Sequence, residues 1–128
     1  LYRRKRRVFF ADDVDELDQA RLELPNQLDE LEKVIKLVDA LIGRVLLSPA
    51  SSRLDLALRN IKEVSEAARN VAHAGTKLYK FDKAPHGASA DIVQYTSVAT
   101  SLRHHTNLLL AETRVVRACI SPNTTQSA

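Results

Sequence analysis

Five basic side chains in a row, Arg3, Arg4, Lys5, Arg6 and Arg7, are the strongest chemical signal in this sequence. Guanidinium groups take phosphates through a planar fork of donors. The run is therefore a candidate for contact with an anionic surface. Tyr2, Phe9 and Phe10 flank it, and aromatic rings beside a basic run suit a membrane interface as well as stacked nucleic-acid bases. Directly behind come Asp12, Asp13, Asp15, Glu16 and Asp18. Charge is thus segregated: five of the 19 basic residues precede Ala11, leaving 14 to face 16 acidic ones. The plainer reading is an arm that stays solvated or pairs with the acidic stretch behind it.

Other reactive residue types are present without the spacing that chemistry needs. The acidic cluster at 12–18 lacks, in register, the Gly at the sixth and the Glu at the twelfth position of an EF-hand loop. It reads instead as the acidic first turn of a helix, where carboxylates meet the positive end of the dipole. His73, His86, His104 and His105 offer no metal-ligand pair: His104 and His105 are adjacent and diverge by about 100° on a helix, and no carboxylate repeats at ligand spacing. Cys119 has no base partner in sequence. Near a helix C-terminus the dipole disfavours a thiolate, so a buried, inert thiol is expected. There is no glycine-rich phosphate loop, nucleophile elbow or His-Glu-x-x-His motif. The reading is a non-enzyme with no catalytic residue, no metal, no cofactor and no small-molecule substrate.

The elements that must carry these residues follow from composition and period. A chain of 128 residues is long enough for one domain with its own core. Three Gly, four Pro and few aromatics, with Ala, Leu and Val dominant, favour an all-α fold. The basic pI of about 9.2 comes from the N-terminal run rather than the rest of the chain. A single cysteine excludes an intramolecular disulfide, and an intracellular, reducing compartment is favoured, membrane-proximal or organellar if the basic run has that role. No apolar run approaches the roughly 20 residues of a membrane span. The absence of Met suggests a processed or excised piece, with Leu1 following a removed membrane span, a targeting segment or further folded sequence.

Four helical stretches are legible. A short one over residues 12–23 has a thin stripe of Val14, Leu17 and Leu24 and is expected to be the least stable. Pro25 either kinks it into the next helix or starts a new one. The second, 26–47, carries Leu28, Leu31, Ile35, Val38, Ile42 and Val45 at alternating steps of three and four. Val34, Leu37, Leu41 and Leu46 widen that stripe, which implies two packing neighbours. The third, from Ser52 with Asp55 as a capping pair to about Lys83, turns from large residues (Leu54, Leu58, Ile61, Val64) to small ones (Ala67, Ala68, Ala72, Ala74, Gly75). Small residues allow close approach of a neighbour, which would offset the roughly 1 kcal/mol that a mid-helix Gly costs. After Ala84-Pro85-His86-Gly87, the fourth runs from near Ser89 to about Ile120, with Tyr95, Ala99, Leu102, Thr106, Leu109, Thr113 and Val116 on one seam. Short connections require an up-down order. The expectation is an elongated antiparallel bundle of three long helices plus a short N-terminal one, hence a four-helix bundle. A basic arm (1–11) would precede it and a flexible tail (121–128) follow.

The stretch Val64-Ser65-Glu66-Ala67-Ala68-Arg69-Asn70-Val71-Ala72-His73-Ala74-Gly75 resembles helices of the vinculin, α-catenin and talin rod families, over these residues alone. That resemblance implies a long-helix bundle of the kind that links membranes to actin. Together the residues point to a helical-bundle scaffold or subunit that meets a protein partner on its surface and an anionic surface through Arg3, Arg4, Lys5, Arg6 and Arg7. The alternatives are a juxtamembrane or adhesion-type bundle, and an RNA-associated subunit of an organellar or ribonucleoprotein complex.

Overall fold

The computed structural model describes residues 2–84 and 90–120, with side chains from Glu16 onward. Among these residues there are three helices: α1 (Tyr2–Val45), α2 (Ser52–Lys83) and α3 (Ile92–Ile120). All three pack on one another, and their directions can be read from the pairs they form. Arg21 reaches Asp82 and Asp39 reaches Arg69, so α2 runs against α1. Asp82 meets Tyr95 and Gly75 meets Val98, so α3 runs against α2. α1 and α3 are therefore parallel, as is confirmed by the groove that sets residues 16–27 beside 92–103.

Pro25 lies inside α1. Residues 16–23 of the expected short helix therefore run straight on into the long one, and a separate fourth member is not seen among the described residues. The physical reason lies in Leu24, which is 1% exposed, and Leu17 and Ala20, which rest against the same core as Leu28 and Leu31. One apolar stripe crosses the proline without changing face. Pro25 itself is on the exposed side, where losing one backbone hydrogen bond is cheapest. The side chains of Val14 and of the acidic residues before Glu16 lie outside the described residues, as do the loop 85–89 and the tail 121–128.

The stripe on α1 is as wide as the sequence implies, but its edges differ. Val34 and Leu41 are buried, whereas Leu37 and Leu46 are largely exposed. A two-neighbour helix hides only about half its circumference, and Leu37 falls outside that arc, while Leu46 lies just past the end of the helix. On α2 the buried face is Leu54, Ala57, Ile61, Ser65, Ala68, Ala72 and Gly75. Leu58, Val64, Val71 and Leu78 flank it, partly covered. Gly75 sits where the small residues were expected to admit a neighbour. A Cβ there would lie 2.8 Å from Leu28 Cδ2 and 3.5 Å from Val98 Cγ1, on α1 and α3 respectively.

The α3 seam buries Tyr95, Leu102, Leu109 and Val116, and also Thr106 and Thr113. Each threonine donates its hydroxyl to the carbonyl one turn back, Leu102 O at 2.8 Å and Leu109 O at 2.7 Å. The hydroxyls are thereby satisfied inside the core. The caps are local. Ser51 is the N-cap of α2 and accepts from Leu54 N at 3.1 Å. The cap is thus one residue earlier than expected, and Ser52 is already helical. Asp91 and Gln94 form a reciprocal capping box, each accepting from the other's backbone N–H at 2.9 Å. That box moves the start of α3 from near Ser89 to Ile92.

Candidate functional site

The most heavily bonded polar group among the described residues is Asp82, in the last turn of α2. A carboxylate there opposes the helix dipole, so its position calls for other partners. It has three. Tyr95 of α3 donates its hydroxyl to Oδ2 at 2.5 Å. Arg21 of α1 donates Nε–H to the same oxygen at 2.9 Å, and the Ala90 amide donates to Oδ1 at 2.9 Å. One side chain therefore joins all three helices and the segment that leads into α3. The Asp82 side chain is 8% exposed and that of Arg21 35%. Tyr95 and Ala90 are almost wholly buried.

The electrostatics follow from this geometry. Asp82 is held below the usual carboxylate range, first by the Tyr95 hydroxyl and then by the Ala90 amide and the Arg21 cation, against the opposing effect of burial. Tyr95 is pushed up to about 12, by burial first and then by its bond to the Asp82 carboxylate, whose charge adds to the effect. The hydrogen bond to Asp82 raises Arg21 above its ordinary value. Beside the junction, the Lys83 ammonium stands 4.5 Å from the centre of the Tyr79 ring, a cation–π contact. Every strongly displaced group in this cluster is bonded to another member of it. Such an arrangement clamps helices, and on its outer side Arg21, Asp82 and Tyr95 line a shallow open depression with Tyr79 and Lys83.

Sequence reasoning found Tyr95 only as a core position and missed the other two. Signals were present. A Tyr on an inner seam needs a partner for its hydroxyl, and an Asp in the last turn of a helix needs a reason to be there. Which cation would come to it from 61 residues away was not encoded locally.

The residues expected to bind an anionic surface, Arg3, Arg4, Lys5, Arg6 and Arg7, fall within the backbone of α1. Their side chains lie outside the described residues. Nearby, an open groove between α1 and α3 is lined by Glu16, Glu23, Gln27, Tyr95 and Arg103 among others. His73 and His104 are exposed. His105 hydrogen-bonds the Ser101 carbonyl through Nδ1 at 2.8 Å and meets the His104 ring edge-on, at 5.4 Å between centres. His86 lies outside the described residues. Among the described residues no group of three or more His, Cys, Asp or Glu side chains converges on a common point. Cys119 is half-buried rather than buried, because it lies on the last turn of α3, where cover from α1 and α2 runs out.

Fold and junction together define an all-helical bundle. Among the described residues no helix is long and apolar enough to cross a membrane. No family of known sequences matches the chain, and neither a curated protein nor a solved structure does.

Proposed function

We propose that this chain is a non-enzymatic helical-bundle scaffold, which offers its outer surface to a protein partner and its basic run, Arg3, Arg4, Lys5, Arg6 and Arg7, to an anionic surface. The observation that carries the first half is the Asp82 junction. Its three displaced ionisable groups are occupied in tying helices together, which supports a structural rather than a catalytic use of the molecule's best-placed polar groups. Exposed Leu22 and Leu37 on the outer face of α1 add apolar area for a partner.

The second half rests on charge. Four arginines and one lysine in succession on one chain end give a strong local field. Replacing all five with Gln tests it, with binding to anionic vesicles and to single-stranded RNA measured over a salt series. The expected result is an unchanged melting temperature, loss of a strongly salt-dependent RNA binding and a marked weakening, not an abolition, of vesicle binding. Binding to neither ligand by the unaltered chain, or binding indifferent to salt, refutes the role given to the run.

A further inference from the structure

A second concentration of positive charge lies at the other end of the bundle, where α1 ends, α2 begins and α3 ends. Over residues 44–59 and 112–120, five arginines (Arg44, Arg53, Arg59, Arg114 and Arg117) stand against two carboxylates, Asp55 and Glu112. All five are exposed. Among the described residues none of them makes an ion pair or a side-chain hydrogen bond, whereas Arg21 and Arg69 are both paired. Dipole complementation accounts for Arg44 and Arg117, which lie in the last turns of α1 and α3. It does not account for Arg53, in the first turn of α2, where the dipole disfavours a cation.

The turn within this arginine cluster is apolar. Leu46 and Leu47 follow α1 directly and are 71% and 88% exposed. Turns ordinarily carry Gly, Asn, Asp, Ser or Pro, so two adjacent leucines left in water between Arg44 and Arg53 are out of place for a simple connection. Arg44, Arg53 and Arg117 share one surface with the 48–51 stretch that follows these leucines. Ile120 lines a depression together with Arg44 and Arg117, and also the next depression, with Arg53 and the 48–51 stretch.

We propose that this end docks on an anionic phospholipid bilayer, with Leu46 and Leu47 entering the boundary between headgroups and acyl chains while Arg44, Arg53 and Arg117 take lipid phosphates. A nucleic acid would satisfy the arginines but has no place for paired leucines at the apex. A bilayer interface takes both, apolar side chains below and guanidinium groups at the phosphates. The inference goes beyond the role proposed for the basic run at residues 3–7 and does not depend on it.

The test keeps the two apart by using the full chain with Arg3, Arg4, Lys5, Arg6 and Arg7 all replaced by Gln. Co-sedimentation is measured with phosphatidylcholine vesicles with and without phosphatidylserine, and RNA binding in parallel. The chain has no Trp, so Leu47→Trp supplies a single indole at the apex. The expected results are binding to the phosphatidylserine vesicles and a blue shift of the indole on binding. R44Q/R53Q/R117Q should weaken binding roughly 100-fold, at about fivefold per arginine. L46S/L47S should weaken it by at least about tenfold, with an unchanged melting temperature because both side chains are already in water. No vesicle binding, an unshifted indole on bound protein, binding indifferent to the leucines, or tighter binding to RNA than to vesicles would each overturn the proposal.

Discussion

Replacing Asp82 with Ala removes the acceptor that three helices share, and the cost can be built up from its partners. The Tyr95 hydroxyl and the Ala90 amide are buried, and each would be left without the acceptor it has at 2.5 and 2.9 Å. A buried donor so stranded costs about 1–3 kcal/mol. Arg21, with a side chain 35% exposed, turns to water and loses little. The total is about 3 kcal/mol, near the lower end of what breaking a buried charged network costs. That corresponds to a fall of roughly 10 °C in melting temperature for a domain of this size. Urea titration at neutral pH, followed by circular dichroism, gives the free energy directly. The effect should also be pH-dependent. The folded state holds Asp82 below its ordinary value, so its contribution is present above the unfolded carboxylate range and is lost as pH falls through the lowered folded value. The gap between parent and variant should therefore narrow in acid. Asp82→Asn should lie between the two, because one amide oxygen can serve Ala90 or the Arg21–Tyr95 pair but not both. A variant within about 0.5 kcal/mol of the parent, or a gap that widens in acid, would refute the reasoning.

The alkaline limb offers a second check. Tyr95 is raised from 10.0 to about 12, so its contribution is complete below the unfolded value and is lost as pH rises through the folded one. Stability should fall by roughly 2–3 kcal/mol over that window, and the fall should be absent in Tyr95→Phe. Gly75→Leu places side-chain atoms where a Cβ alone meets Leu28 at 2.8 Å. It should destabilise by about 1–3 kcal/mol in chemical denaturation, and a gain in stability would mean the face is assigned wrongly. Gly43 has nothing within 4 Å of its would-be Cβ, so Gly43→Ala should gain up to about 1 kcal/mol from helix propensity, read as a higher urea midpoint. Deleting residues 1–23 takes away Arg21 and the core contacts of Leu17 and Ala20. The remaining bundle should still melt cooperatively but at lower temperature, and a molten product would show that this segment is needed for the fold.

Periodicity made most of the bundle legible. The seams of α2 and α3 were marked by spacings of three and four; the α3 face lies on its seam, whereas the α2 face is turned toward Ala57, Ser65 and Ala72, with Leu58, Val64, Val71 and Leu78 at its edges. The small-residue face at Gly75 was legible, since a mid-helix glycine needs close packing to offset its cost. Boundaries were less so: Ser51 rather than Ser52 caps α2, and the Asp91–Gln94 box sets the start of α3. Neighbouring serines and aspartates are near-equivalent caps until the chain direction is known.

Composition and period thus determined, by themselves, that this chain folds as helices, roughly where they end and which faces they bury, because those properties depend on near neighbours along the chain. Whether Pro25 broke a rod or rode on its surface depended on what lay beneath Leu24, and only packing decided it. The partners of Asp82 were likewise decided only in three dimensions. So was the gathering of Arg44, Arg53 and Arg117 around Ile120, at the end where Leu46 and Leu47 are exposed. Arg21 and Arg117 are far in sequence from the residues they join, and their meeting depends on the alignment of three helices along one another, which no local spacing records.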